Sequence, residues 1–414
     1  AGIFIIIIQC IIRGDSDMKH ISEPVLNISG NDKKDDLNSR RRFIKRSLGA
    51  AAGYCLFCTL GGVKNLTAAG KTEDASRFVR EAMWWDSLGK GNVVQCRLCP
   101  RECPVPDGSR GICGVRENQG GVYKTLVHSR PVAVNVDPIE KKPLFHFLPS
   151  SKAFSIAAAG CNIECKFCQN WQISQTPPGE LESKYMPPDK VVENATKNEC
   201  PVIAYTYSEP TVFYEYMYDT AAAGRKKNVR SVMISNGYMN EKPLRKLCRN
   251  LDAVKIDFKA FTEKFYRETC SGELKPVLHT LEVLKDEGMW FEIVVLIIPT
   301  LNDSEKENRE MCRWIVKNLG PDVPVHYSRF HPTYKMRNLP RTPIKTLERC
   351  RDIAVEEGVK FAYLGNVWNH EYENTYCPEC KELLIRRQGY HTKASGIKKG
   401  ECSHCGEKIP GVWG

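Results

Sequence analysis

The feature that most constrains the fold of this chain is a regular alternation of short apolar runs with longer amphipathic stretches between residues 153 and 364. The apolar runs have the length of β-strands and are continuous rather than alternating with polar residues, as residues 291–298 illustrate. Strands of this kind are typical of sheets that are covered on both faces. Repeated strand–helix units predict an α/β fold with a parallel sheet, either open and doubly wound or closed into a full or partial barrel.

The alternation predicts seven strands and six helices. The strands are expected at residues 154–159, 202–207, 231–235, 253–258, 291–298, 323–330 and 360–364. The helices are expected at residues 189–199, 212–227, 242–250, 276–287, 304–319 and 344–357.

Polar residues gather directly after the predicted strands, although any one of them alone would be an ordinary turn residue. In parallel α/β folds, ligands bind at the carboxyl ends of the strands, so these side chains are expected to form one site. In chain order they are Cys161, Cys165, Cys168, Ser208, Glu209, Asn236, Asp257, Lys259, Asn302, Asp303 and His331.

The loop after the first predicted strand carries the pattern Cys-x3-Cys-x2-Cys at Cys161, Cys165 and Cys168. Thiolates are the protein ligands of iron–sulfur clusters, which usually take four of them. Three ligands leave one iron without a protein ligand, and an open metal position is what a catalytic site needs. A three-cysteine zinc loop completed by a distant histidine is the alternative interpretation.

This pattern resembles the signature of the radical S-adenosylmethionine superfamily, and the resemblance extends over residues 150–370. It implies a partial (β/α)6 barrel of TIM type with a [4Fe–4S] cluster whose open iron binds the methionine part of S-adenosylmethionine. One electron then cleaves the sulfonium and gives a 5′-deoxyadenosyl radical that abstracts hydrogen from a substrate. An electron donor such as flavodoxin or ferredoxin is implied as a partner.

Several motifs are most similar to those of the pyruvate formate-lyase activating enzyme branch. The resemblance implies that Glu209 meets the methionine amino group and that Lys259 pairs with its carboxylate. The structural alternative is that Glu209 caps a helix N-terminus while Asp257 and Lys259 form a surface pair. The remaining cofactor-binding residues that the resemblance implies are Ser235, Asn236, Asp257 and His331.

Cysteine-rich stretches on both sides of the predicted barrel narrow the resemblance to the radical enzyme of the AmmeMemoRadiSam system, over residues 93–414. That resemblance implies Memo-like and AMMECR-like proteins as partners but leaves the substrate unknown. A protein substrate, as in activating enzymes, is one version of this hypothesis. A non-catalytic iron–sulfur or zinc protein that transfers electrons or scaffolds partners is the alternative function.

The two outer cysteine groups predict further metal sites. The C-terminal group forms two Cys-x2-Cys pairs separated by 21 residues: Cys377 with Cys380, and Cys402 with Cys405. This spacing is close to that of a zinc ribbon. It predicts a small β-rich lobe at residues 371–414 that binds zinc or iron. A second group lies in a cysteine-rich segment at residues 93–149, where zinc and an auxiliary iron–sulfur cluster are equally open. That group consists of Cys96, Cys99, Cys103 and Cys113.

Composition excludes a disulfide scaffold, because the chain has 19 cysteines in 414 residues and enough apolar residues, 42%, to form a core. The formal net charge of +11 is interpreted as a solvated basic surface, so nucleic acid is not an expected partner. The alternative interpretation is a surface that binds a nucleic acid or an acidic protein. Five isolated cysteines are expected to be buried thiols: Cys200, Cys248, Cys270, Cys312 and Cys350.

Residues 1–92 are expected to be a disordered leader and linker. Residues 39–45, Ser-Arg-Arg-Arg-Phe-Ile-Lys, resemble the twin-arginine export signal of prokaryotes, and a weakly apolar stretch follows at residues 47–63. The alternative is a basic tail ahead of a small amphipathic helix. Because S-adenosylmethionine is cytosolic, the implied chemistry predicts a cytoplasmic enzyme. The leader, in contrast, predicts export or membrane attachment.

Overall fold

The cysteine-rich N-terminal segment folds into two small antiparallel sheets in the computed structural model, which describes residues 75–89 and 91–414. The strand orders are β2-β3-β4 and β1-β6-β5, where the strands are β1 (Arg80–Glu81), β2 (Trp85–Ser87), β3 (Val94–Cys96), β4 (Pro104–Val105), β5 (Arg116–Gln119) and β6 (Val122–Thr125). The leader-like features at residues 1–63 lie outside the described residues.

Residues 75–89 belong to this segment, whereas the sequence predicted that the leader and linker extend to residue 92. β1 pairs with β6, and β2 pairs with β3. The reason is local burial: Phe78 and Ala82 are buried, and the Met83 amide donates to the Glu215 carboxylate at 2.6 Å. The folded segment therefore begins before residue 93.

A sheet of eight strands forms the centre of the molecule and confirms the seven predicted strands. Their order is the chain order, β7 to β14, and every pair from β8 to β14 is parallel. The strands are β7 (Ala133–Pro138), β8 (Lys152–Ala157), β9 (Val202–Tyr205), β10 (Arg230–Ser235), β11 (Ala253–Asp257), β12 (Phe291–Ile297), β13 (Val325–Arg329) and β14 (Ala362–Gly365).

The connecting helices also agree with the prediction. Because the strand order never reverses, every crossover runs in the same direction, which excludes the doubly wound alternative and agrees with a partial barrel. The helices are α1 (Trp171–Ser174), α2 (Pro188–Lys197), α3 (Tyr214–Arg225), α4 (Glu241–Cys248), α5 (Glu263–Phe265), α6 (Leu274–Asp286), α7 (Glu305–Leu319) and α8 (Ile344–Glu356). None of the helices in the described part of the chain is long and apolar enough to cross a bilayer.

One edge strand and the segment after it were not predicted, because both lie within residues 93–149, for which the sequence predicted a cysteine-rich segment. β7 pairs antiparallel with β8 at the edge of the sheet. Residues 139–148, hereafter the plug, then cover the amino ends of the parallel strands. Their apolar side chains pack against the inward-facing side chains of β8 to β11 in one cluster: Ile139, Leu144, Phe147, Ala153, Val202, Ala204, Val232, Ile234 and Ala253.

The C-terminal lobe is β-rich, as predicted, and it packs on the plug. Val412 exchanges backbone hydrogen bonds with the plug residues His146 and Leu148, at 2.7 and 2.8 Å. The buried guanidinium of Arg387 donates to the Phe145 carbonyl at 2.8 Å. The lobe consists of β15 (Thr375–Tyr376), β16 (Leu383–Gln388), β17 (His391–Lys393), β18 (Ile397–Lys398) and β19 (Glu401–Cys402).

The carboxylate of Glu292 on β12 anchors the plug. It is fully buried, and it accepts hydrogen bonds from the Phe145 and His146 amides at 2.9 and 2.8 Å. The His326 ring lies 2.7 Å from the same carboxylate. Although burial opposes ionisation, these hydrogen bonds lower the pKa of Glu292, so the buried group stays charged.

Replacing this anchor is expected to destabilise the molecule strongly. Glu292→Leu leaves two buried amides and a buried imidazole without their acceptor, and we expect a loss of roughly 3–5 kcal/mol in the free energy of unfolding. Urea denaturation followed by circular dichroism measures the loss. Glu193→Leu, which removes a solvent-exposed pair with Lys190, is the matched control and should cost less than about 1 kcal/mol. Equal stabilities for the two variants would contradict the anchoring role.

Candidate active site

The cluster loop, residues 160–168, follows β8 at the carboxyl edge of the sheet, as predicted. Gly160 opens the loop with a φ of +98°, and a Cβ at this position would lie 2.8 Å from the Cys113 carbonyl. Only glycine combines this backbone conformation with so close an approach. The cluster loop is therefore packed directly against the N-terminal cysteine segment.

A short π-helix at Tyr266–Cys270 supports the other side of the cluster loop. The amides of Glu164 and Lys166 donate to the carbonyls of Cys270 and Thr269, both at 2.9 Å. The Cys270 thiol also hydrogen-bonds the Cys165 thiol, which together with burial raises the pKa of Cys165. All five isolated cysteines are buried, as predicted, but Cys270 is in addition a neighbour of the cluster loop that spacing alone did not reveal.

Glu209 joins the ends of β9 and β10. Its Oε1 accepts from the Thr211 amide at 3.0 Å and from the hydroxyls of Thr211 and Ser235 at 2.7 Å. Its Oε2 accepts from the Asn236 amide at 2.8 Å. The side chain caps the short 3-10 helix Pro210–Phe213, which is the structural alternative considered for this residue. Burial raises the pKa of Glu209 despite these hydrogen bonds.

Asn236 connects this carboxylate to the cluster loop. Its Nδ2 donates to the Asn162 side-chain oxygen at 2.9 Å and lies 3.8 Å from the Cys161 sulfur. Burial, and then the neighbouring Glu209 carboxylate, raise the pKa of Cys161 well above its usual range. The structure therefore brings together Cys161, Glu209 and Asn236, which the sequence predicted as members of one site.

Asp257 lies between two lysines at the end of β11. It pairs with Lys255 and with Lys259, the latter at 3.2 Å. Burial opposes its ionisation, but the two ammonium groups lower the pKa of Asp257 to about 2. Lys259 Nζ lies 5.9 Å from the centre of the Phe167 ring in the cluster loop, and the Asp257 carboxylate raises the pKa of Lys259 despite its burial.

A further polar group, which was not predicted from the sequence, surrounds the Asp137 carboxylate. Lys142 donates to Asp137 at 2.6 Å, and the Tyr207 hydroxyl donates to the same carboxylate. Lys255 carries its charge within electrostatic range of Lys142, and burial lowers the pKa of both lysines, that of Lys142 to about 8. A lysine inside the apolar run Ala-Val-Lys-Ile of residues 253–256 was the signal that could have pointed to this group.

Two other residues of the predicted site, His331 and Asn302, do not contact the cluster loop through hydrogen bonds within the described part of the chain. His331 lies in the loop after β13 and is exposed to solvent. Asn302 is buried and has a structural role, because its Nδ2 donates to the carbonyls of Lys259 and Leu296, both at 2.8 Å, and so joins the loops after β11 and β12.

The C-terminal cysteines have the geometry of a site for one metal ion. All four thiols lie within 4.8 Å of one another, with sulfur–sulfur distances of 3.6 Å for Cys377–Cys405 and 3.7 Å for Cys380–Cys402. A tetrahedral ion with metal–sulfur bonds of about 2.3 Å holds its sulfurs roughly 3.8 Å apart. Burial opposes ionisation of Cys402, but the amides of Cys405 and His404 lower its pKa to about 6.

The three thiols of the cluster loop are arranged differently. No other group of three or more cysteine, histidine or acidic side chains within residues 75–89 and 91–414 brings its donor atoms within 4.8 Å of one another. At least one of the sulfur–sulfur distances among Cys161, Cys165 and Cys168 therefore exceeds 4.8 Å. A multi-iron cluster binds each thiolate to a different iron, so the wider spacing fits a cluster better than the three-cysteine zinc alternative.

Removing one C-terminal thiol is expected to release a metal ion and to destabilise both the lobe and the plug on which it packs. Cys377 and Cys402 pack in one apolar cluster with the plug residue Phe145 and with Tyr363 of β14. We expect Cys402→Ser to lose one equivalent of metal by elemental analysis and to unfold roughly 5–10 °C lower, which corresponds to a few kcal/mol. Cys200→Ser, at an isolated buried thiol, should keep the metal. Full metal content in the Cys402 variant would refute the assignment.

Comparisons with known proteins identify a family domain in the sheet and two relatives that cover most of the chain. The Radical SAM superfamily profile matches residues 155–313, which begin in β8 and include the cluster loop. The uncharacterized protein MJ0808 of Methanocaldococcus jannaschii is 45% identical over 333 residues, which cover 80% of this chain and 99% of that protein. The uncharacterized protein MJ0674 of the same organism is 23% identical over 292 residues, or 67% of this chain and 79% of that protein.

A solved domain of pyruvate-formate lyase-activating enzyme from Bacteroides vulgatus aligns with 14% identity and a TM-score of 0.36, covering 39% of this chain and 98% of that domain. The superfamily match includes the cysteine pattern, and the identity to MJ0808 extends over nearly all of that protein. Residues 155–313 therefore form a radical SAM superfamily domain, and the chain belongs to a group of proteins that includes MJ0808.

Proposed function

We propose that this radical SAM enzyme binds a [4Fe–4S] cluster on Cys161, Cys165 and Cys168 and cleaves S-adenosylmethionine reductively. The observation that carries the proposal is the hydrogen-bonded path from the Cys161 thiol through Asn236 to the Glu209 carboxylate. When bound, the cluster supplies the single electron that converts S-adenosylmethionine to methionine and the 5′-deoxyadenosyl radical.

Glu209 is proposed to bind the methionine amino group. Among the described residues, Asn236 alone donates to its Oε2, and a carboxylate oxygen can accept a second hydrogen bond. The capping of residues 210–213 does not conflict with this role, because the capping bond uses Oε1. The three other bonds fix the orientation of the carboxylate before the ligand arrives.

Lys259 is proposed to pair with the methionine carboxylate. Its ammonium group has three donors, and Asp257 takes one of them at 3.2 Å. Asp257 keeps its charge because Lys255 also neutralises it, so Lys259 remains available to a second anion. Phe167 is buried and Lys259 is only 13% exposed, so this contact is largely shielded from water, which strengthens a charge-assisted bond.

The alternative, a non-catalytic electron carrier or scaffold, is not favoured. An electron carrier usually closes its cluster with a fourth protein ligand and has no use for a buried acid and a largely buried lysine at the cluster loop. Glu209 and Lys259 have such positions here, on either side of the cysteines.

We further propose the activating-enzyme-like AmmeMemoRadiSam group for this chain, with zinc at the C-terminal site. Flavodoxin or ferredoxin as electron donor, and Memo-like and AMMECR-like proteins as partners, follow from that proposal. The superfamily chemistry supports a cytoplasmic, prokaryotic enzyme, and the twin-arginine-like stretch at residues 39–45 supports export as the competing proposal. The substrate is proposed to be a protein or a small molecule that reaches the carboxyl edge of the sheet.

The first test of this function is formation of 5′-deoxyadenosine. The anaerobically reconstituted and reduced protein should release it from S-adenosylmethionine, as measured by liquid chromatography. Cys161→Ala should reduce the yield to background, because the cluster loses one of its three thiolates. Cys200→Ala, the control at an isolated buried thiol, should retain the activity. No product from a fully loaded and reducible wild-type protein would overturn the proposal.

A second test addresses binding of the cofactor. Lys259→Met should weaken S-adenosylmethionine binding about tenfold, or by about 1.4 kcal/mol, through loss of one charge-assisted bond. Anaerobic titration calorimetry measures the affinity, and iron analysis verifies that the cluster is intact. Lys264→Met, at a solvent-exposed lysine nearby, is the matched control. Unchanged affinity in the Lys259 variant would remove this residue from the binding site.

A further inference from the structure

The N-terminal cysteines enclose a cavity of their own. All four of them, Cys96, Cys99, Cys103 and Cys113, line it together with Arg101 and Arg116. The hairpin of β3 and β4 brings the first three together, since the Cys96 amide donates to the Cys103 carbonyl at 3.0 Å. The turn before β5 then brings Cys113 to the same cavity.

Close packing shapes this cavity. A Cβ on Gly111 would lie 2.7 Å from the Tyr123 hydroxyl and 3.7 Å from the Cys103 sulfur. The absence of a side chain at residue 111 therefore allows the turn that carries Cys113 to approach Cys103. Four thiols from one hairpin and a separate turn line one cavity, which is the arrangement of a ligand set rather than of isolated core thiols.

The spacing of these thiols differs from that of the C-terminal set. No three of them lie within 4.8 Å of one another, whereas the four C-terminal thiols do. A single tetrahedral ion needs sulfurs roughly 3.8 Å apart, which the C-terminal set provides and the N-terminal set does not. Within one chain, the C-terminal set thus serves as a reference for what a mononuclear site looks like.

A buried arginine points to an anionic group in the same cavity. Arg116 is 1% exposed; its Nη2 pairs with Glu215 and its Nη1 donates to the Met83 carbonyl at 3.4 Å. Its Nε has no partner, although it is buried. A buried donor without an acceptor is costly, and a sulfur of a bound cluster would satisfy it.

We propose that Cys96, Cys99, Cys103 and Cys113 bind a second iron–sulfur cluster of the [4Fe–4S] type. It has four protein ligands and hence no open iron, so it carries electrons or stabilises the fold and does not bind substrate. It lies beside the cluster loop, because the Cys113 carbonyl contacts Gly160 and Arg101 donates to the Asn162 carbonyl at 3.0 Å. The proposal does not depend on the proposed function.

Metal and sulfide analysis of the full-length, anaerobically reconstituted protein tests it. We expect about eight iron and eight sulfide per chain in the wild type, since each [4Fe–4S] cluster holds four of each. The triple variant Cys161→Ala, Cys165→Ala, Cys168→Ala should keep about four iron with the Mössbauer spectrum of a four-thiolate cluster. The double variant Cys99→Ala, Cys113→Ala should lose about four iron but keep the cluster of the cluster loop.

The controls separate this proposal from the proposed function. Cys200→Ala with Cys350→Ala, at two isolated buried thiols, should retain all the iron. If the double variant fails to fold, the iron content of the triple variant decides alone. Two equivalents of zinc with about four iron in the wild type, or a triple variant without iron, would overturn the proposal. A triple variant that keeps iron supports it even if the wild type makes no 5′-deoxyadenosine.

Discussion

The burial of the Glu292 carboxylate is the interaction on which the rest of the structure depends. This carboxylate holds the backbone of Phe145 and His146 against the sheet and also binds His326. A charge in the core is tolerated only where several donors surround it, and the plug supplies two of them. Since the C-terminal lobe packs on the plug through Arg387 and Val412, one carboxylate links three parts of the molecule.

Closing the amino ends of the strands with an apolar plug leaves the chemistry to the carboxyl ends. There Asp257 is paired with Lys255 and Lys259, whereas Lys142 of the plug pairs with Asp137 beside the amino end of β8. Paired charges can stay ionised without bulk water, so the site can be both dry and polar. A radical reaction needs such a site, because water and loose side chains would otherwise compete for the reactive species.

The two outer cysteine groups arrange the same residue type in two different geometries. In the C-terminal lobe the chain turns tightly at each Cys-x2-Cys pair, and the four sulfurs converge. In the N-terminal segment the thiols come from a hairpin and a separate turn, and they surround a space instead of meeting at a point. Backbone geometry, more than the number of cysteines, therefore sets the distances between the sulfurs.

The sequence by itself determined the strand–helix alternation, the cluster loop and the edge of the sheet where the site lies, because hydrophobic periodicity and cysteine spacing are local properties. Only the tertiary structure decided how the sheet is wound, where the plug lies and which charges meet. Glu292 and Lys255 are charged residues inside apolar runs, and the plug amides that bind Glu292 lie more than a hundred residues away in the sequence. Such contacts depend on chain folding over long separations, which local patterns do not encode.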